Sequence, residues 1–162
     1  MDLIRRATRA DVPSLAAAAA ALARQHQAYD PARFHFEAPI ELVHAHFFEA
    51  QLADEAARVL VAERDDVVVG YAFLRCELAC LIDALGRTLW LHDLYVAPSA
   101  RGTGIGRRLL AAARATMPEF NVNALMLTVA VRNVAAQGWF EQAGFRNTMR
   151  EYRLDDTPAN DR

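Results

Sequence analysis

The chain has 162 residues, 54% of them hydrophobic and 23% charged, with a formal net charge of −2 at neutral pH. That length and apolar content suit one domain around one buried core. The charge gives no support for nucleic-acid binding, which favours a basic face. Two cysteines, Cys76 and Cys80, are too few for a disulfide scaffold and lack metal-ligand spacing. They read as buried thiols of a reducing, cytoplasmic compartment.

In chain order, Leu3 to Ala7 reads as a strand, and Thr8-x-x-Asp11 as a capping box opening a long helix through the alanine run Ala16 to Ala21. The uncharged stretch Val12 to Ala23 is too short to cross a membrane. Asp11 and Pro13 interrupt what would otherwise resemble an export signal. A variable segment carrying Tyr29, Asp30, Phe34 and Phe36 precedes a second helix from about Pro39 to Ala53. Arg58 to Glu63 and Val67 to Glu77 read as strands joined by the Arg64-Asp65-Asp66 turn, and Leu81 to Arg87 as a loop. The next strand, Leu89 to Val96, ends before Pro98; a helix from Gly104 to Thr116 stops near Met117-Pro118. Ala124 to Val131 and Phe145 to Leu154 are expected as the last strands, and 155–162 as a disordered tail. His44 and His46 stand two apart on a helix and cannot converge on one metal, so no metal site is expected.

Between the Leu89 strand and its helix, Gly102, Gly104 and Gly106 alternate. Glycines there let backbone N–H groups turn toward a ligand, and the helix N-terminus adds positive partial charge, an arrangement suited to a phosphate or pyrophosphate. A P-loop would need Lys-Ser/Thr where Arg107-Arg108 stands. A dinucleotide fingerprint would need its third glycine at position 107.

Arg101-x-x-Gly104-x-Gly106, directly after Tyr95-Val96-x-Pro98, resembles the coenzyme A pyrophosphate loop of the GNAT superfamily of N-acetyltransferases. Asn133 to Phe145 is similar to that family's second signature, Asn-x-x-Ala-x-x-apolar-aromatic-x-x-x-Gly-Phe. Read physically, Asn133 is a good N-cap and Gly144 a good C′ residue. The resemblance implies an α+β fold in one domain, residues 1–154. Its sheet would be mixed and mainly antiparallel, of six to seven strands flanked by about four helices, with a V-shaped splay between the central strands. It implies acetyl-CoA as cosubstrate and no metal. The backbone of Tyr95, Val96 and Ala97 would pair with pantetheine. The amides of Gly102, Thr103, Gly104, Ile105 and Gly106, with Arg101, would hold the pyrophosphate. Asn133 would bond the arm near its thiol end, with Phe140 in the aromatic slot of the same block. Homodimers are common in the family; the sequence does not fix this.

The implied reaction is attack of an amine, on a small molecule or a peptide, on the acetyl thioester in a ternary complex. No nucleic acid or membrane is implied. An alkylamine has a pKa near ~10.4, so removing its proton at neutral pH costs about 4–5 kcal/mol, and a base is the side chain most needed. The position matching the glutamate of diamine-acetyltransferase-like members, within Leu91–Val96, holds His92, followed by Asp93. Strand alternation sends these two to opposite faces unless a bulge intervenes. Tyr29, Asp30 and Phe34 are candidates for the acceptor pocket or for packing between the first two helices. Phe140 stands where many members place a tyrosine that protonates the departing thiolate. A non-catalytic acyl-CoA-binding sensor or scaffold is therefore the alternative. A thiol of pKa near ~8.5, however, leaves at a cost of only ~2 kcal/mol.

Overall fold

Strand β1 (Leu3–Arg6) pairs antiparallel with β2 (Ala57–Arg64), β2 with β3 (Val67–Leu78), and β3 with β4 (Arg87–Val96); β5 (Leu125–Met126) joins β4 in parallel. The computed structural model describes residues 2–36, 39–78 and 86–154, which divide into two units, Met1–Ala130 and Val131–Arg162. The first carries the whole sheet.

Helices α1 (Val12–Tyr29) and α2 (Ile40–Ala53) cover one face. Leu15 and Ala19 of α1 and Phe48 of α2 close over Val59, Val61, Tyr71 and Phe73 to make the core on that side. The alanine run is thus a packing surface: Ala16, Ala19 and Ala20 are buried at helical spacing. Helix α3 (Ile105–Ala115) covers the other face with Ile105, Leu109, Leu110 and Ala113. Strand β2 is apolar on both sides, as a strand sandwiched between helices requires.

Polar contacts pin the sheet edge. The Arg5 guanidinium donates two bonds to Asp11, both at 2.8 Å, and also reaches Glu63 Oε2. The Thr8 N–H donates to Asp11 Oδ2 at 2.7 Å, so the capping motif is closed by the acidic residue reaching back. Arg5 beside it, together with the Thr8 bonds, holds the Asp11 carboxyl down at about 2 despite burial. The β2–β3 turn places Asp65 and Asp66 at φ 50° and 62°, the paired left-handed residues of a tight hairpin.

Two expected strands differ. The one from Ala124 to Val131 is reduced to Leu125–Met126, and Phe145 to Leu154 forms no strand. The described residues therefore hold five strands rather than six to seven. An alternating pattern predicts a strand only if a neighbour accepts its N–H and C=O groups. Leu125–Met126 finds such a neighbour in β4, whereas Met149, Tyr152 and Leu154 are all exposed. In the second unit, α4 (Val134–Gln142) is the only regular element among the described residues. Cys76 is buried and free. Cys80, most of the expected loop from Leu81 to Arg87, and the expected tail lie outside the described residues.

Candidate active site

The β4–β5 ladder is two pairs long, Leu89↔Leu125 and Trp90↔Met126, while β4 continues to Val96 against β3. The sheet therefore opens beside the second half of β4, as the expected splay requires. Alternation decides which main-chain groups face that opening. The Ala97 N–H donates to Val69 O at 2.8 Å, and its carbonyl accepts from the Ala100 N–H. The Tyr95 carbonyl lies against Gly70, so close that a Cβ there would sit 2.7 Å from it. Tyr95 and Ala97 thus turn their main chain toward β3, and Val96 and Leu94 turn theirs to the open edge. Leu94 was not among the sequence candidates; the strand parity that identifies it depends on the register with β3.

Past Pro98 the chain enters the glycine turn. Gly102 and Gly104 have φ of 75° and 86°, and an ideal Cβ at either meets nothing within 4 Å. Gly104 caps α3, whose first intrahelical bond runs from Arg108 N–H to Gly104 O at 3.1 Å. The amides before Arg108 are the orphan donors of a helix start, beneath open space, and they fit an anion. Ile105 contributes only its amide, because its side chain is in the core. The Thr103 hydroxyl donates to Ala100 O at 2.7 Å and accepts from Arg64, so it shapes the turn. Arg101 uses its Nε on Val96 O at 3.0 Å, tying the turn to the end of β4.

Register shifts between Phe73 and Leu74: Phe73 pairs with Asp93, Leu74 with Leu91, and His92 is the extra residue of a β-bulge. The bulge removes the alternation expected of His92 and Asp93. The His92 ring stacks on Phe73 at 5.4 Å, and the Asp93 carboxylate accepts the Tyr71 hydroxyl at 3.0 Å. Phe73 and Tyr71 lie on the face covered by α1 and α2, so both candidates share it. Burial pushes the Asp93 carboxyl above the ordinary range, against the opposing pull of the Tyr71 bond and of His92, His44 and His26. Burial, with Asp93 beside it, pushes the Tyr71 phenol up as well. His92 Nε2 lies 2.7 Å from Glu77 Oε1.

Of the acceptor candidates, Tyr29 takes a bond from Gln25 at 2.9 Å, and Asp30 caps the end of α1, accepting the Arg33 and Phe34 amides. The Phe34 ring lies 5.2 Å from that of His26. They form one local cluster at the end of α1. A separate cavity of about 1020 Å³ lies toward the opposite end of β4, lined by Arg6, Asp54, Arg58, Arg87 and Glu119 among others. Arg6 and Arg58 both bond Glu119 Oε2 there. Among the described residues, no group of three His, Cys, Asp or Glu side chains is placed to hold a metal.

In the second unit Asn133 accepts the Ala136 N–H at 3.2 Å, capping α4. At the other end Gly144 has φ 95°, Phe145 N–H donates to Phe140 O at 3.0 Å, and the two rings meet at 5.5 Å. This is a Schellman-type closure with its hydrophobic contact. The spacing of the Asn–Phe block thus has a local structural cause at both ends.

A model of the acetyltransferase (GNAT) family matches residues 19–145. The uncharacterized N-acetyltransferase YhfO of Bacillus subtilis (strain 168) is 30% identical over 99 residues, which are 61% of this chain and 65% of that protein. The alignment therefore spans just under two thirds of that relative's length. The tetramutant of the BH1408 protein from Bacillus halodurans superposes with a TM-score of 0.83 at 23% identity, covering 94% of this chain and 99% of that one. A predicted acetyltransferase with acetyl-CoA from Clostridium acetobutylicum gives a TM-score of 0.73 at 20% identity, covering 96% of each chain.

Proposed function

From the premise that the chain belongs to the acetyltransferase (GNAT) family of enzymes, we propose that it is an N-acetyltransferase. It moves acetyl from acetyl-CoA to a primary amine of a small molecule or peptide, by direct attack in a ternary complex. The observation that carries this reading is one continuous run of backbone: the open edge of β4, then the turn capped by Gly104 at the start of α3. Val96, with Leu94, pairs with the pantetheine arm as an added strand would. The amides of the turn and the first helical turn, with Arg101, hold the pyrophosphate. Asn133, in the second unit, caps α4 through its Oδ1 and keeps its Nδ2 donors outside that cap.

The neutral amine's lone pair attacks the thioester carbonyl, the new C–N bond forms, and the C–S bond breaks. The second N–H proton passes from the adduct to solvent or to the departing thiolate, giving the amide and coenzyme A. His92 takes the ammonium proton before attack. Asp93 gives this face a part-buried carboxyl and favours a cationic amine. A second reading exchanges the two, and one observation favours it: burial moves the Asp93 carboxyl toward the pKa a base needs at neutral pH. The diamine-like stretch Leu91–Val96 enters only as the position of the base and names no substrate. Phe140 carries no hydroxyl, so the reading gives it no acid role.

The test is a panel of amines with acetyl-CoA, read by free-thiol release. Release that depends on both amine and enzyme is the expected result. Calorimetric binding of acetyl-CoA with no release for any amine would favour the sensor or scaffold reading.

A further inference from the structure

His92 is the one residue of β4 that the bulge leaves without a register partner on β3, so the ladder does not fix its side chain. Its ring is instead held by neighbours. Phe73 lies 5.4 Å away at 26°, Trp90 6.4 Å away at 27°, and Glu77 Oε1 is 2.7 Å from Nε2. Glu77 belongs to β3 and stands opposite Thr88, well before the bulge, so the contact joins two parts of the sheet that the register alone does not bring together. The carboxyl next in sequence, Asp93, accepts the Tyr71 hydroxyl instead.

A carboxylate has no proton to donate, so Nε2 carries the hydrogen in this contact and the neutral ring keeps its lone pair on Nδ1. We propose that Glu77 is a positioning residue acting through His92: it selects the Nε2–H tautomer, so that Nδ1 is the atom that takes the proton from the acceptor amine. The inference rests on reading His92 as the base. When an ammonium N–H bond breaks and the proton passes to Nδ1, the imidazolium formed faces Glu77, which offsets its charge, as the acidic member of a Ser-His-Asp triad does for its histidine. Both side chains are more than a third exposed, so the pair adds little to stability; its effect lies in orientation.

The experiment compares wild type, Glu77→Gln, His92→Ala and the double variant, using the amine of the panel that releases thiol fastest. The His92 tautomer is read separately by ¹⁵N NMR on the coenzyme-free protein. Glu77→Gln keeps the shape of the side chain and removes its charge. It should lower kcat by at least about tenfold, below the ~10²–10⁴-fold cost of losing the base itself, with KM for both substrates little changed. It should also reduce the Nε2–H population and have no further effect in the His92→Ala background. If His92→Ala is crippled while Glu77→Gln matches wild type in kcat and tautomer, the role of Glu77 is overturned and the base stands. An equal loss from Glu77→Gln with and without His92 overturns it as well. If His92→Ala turns over normally, the base reading itself falls.

Discussion

The glycine turn after β4 and the bulge within β4 lie close together on one chain and work with different atoms. At the turn the protein offers main-chain N–H groups, held by positive φ at Gly102 and Gly104 and by the start of α3. At the bulge it offers side chains, His92 and Asp93, whose shared face depends on one residue having no partner. A backbone site is specified by what must be absent, a Cβ. A side-chain site is specified by contacts with β3, α1 and α2, which are distant in sequence. In the proposed reading the first kind binds the cosubstrate and the second handles the acceptor amine.

Five variants break or sharpen that contrast. The largest effect is expected from His92→Ala, which should lower kcat/KM by the ~10²–10⁴-fold typical of a lost base while acetyl-CoA affinity stays unchanged by calorimetry. If Asp93→Asn is the crippled variant instead, the two side chains exchange roles and the contrast with the turn survives. Gly70→Ala attacks the scaffold beneath both regions. Its Cβ would meet the Tyr95 carbonyl at 2.7 Å and Leu109 Cδ1 at 3.3 Å, and neither backbone nor core can give way freely. A loss of about 1–3 kcal/mol in thermal or urea unfolding is expected.

Gly104→Val places a branched side chain at φ 86° over the open turn. Binding of acetyl-CoA should weaken at least about tenfold, roughly 1.4 kcal/mol, with the domain still folded by circular dichroism. Unchanged affinity in a folded variant would remove the pyrophosphate from the turn. The smallest effect is expected from Phe140→Tyr, which adds a hydroxyl to α4 at the slot where the family resemblance implies a tyrosine. Assistance worth only ~1 kcal/mol to a thiolate keeps the change in kcat within about tenfold. A rise of several hundredfold would show that an essential acid is missing and turn the balance toward the sensor or scaffold reading.

The backbone region was largely legible in the sequence because its determinants are local. Gly102, Gly104, Pro98 and the apolar spacing of Ile105 and Leu109 sit within one short stretch, and each acts on its neighbours. The two helices before the β2–β3 hairpin, and the hairpin with its Asp65-Asp66 turn, were legible for the same reason. The side-chain region was legible only as a list of residue types. That His92 and Asp93 share a face follows from a register shift against Phe73 and Leu74, and no property of Leu91–Val96 reveals it. Glu77 carried no signal at all, since its role depends on the same register. The stretch from Phe145 to Leu154 shows the converse: a strand-like pattern is written there, and no partner strand meets it among the described residues.

The two-pair ladder between β4 and β5 has a consequence for handling the protein. From Leu94 onward β4 carries main-chain donors and acceptors that β5 leaves unmatched, and such an edge is a template for any other extended chain. A pantetheine arm lying along that edge occupies the same groups that a misplaced strand would use. In the proposed reading the cosubstrate would also shield this edge, and protein without it would be the more open to strand addition.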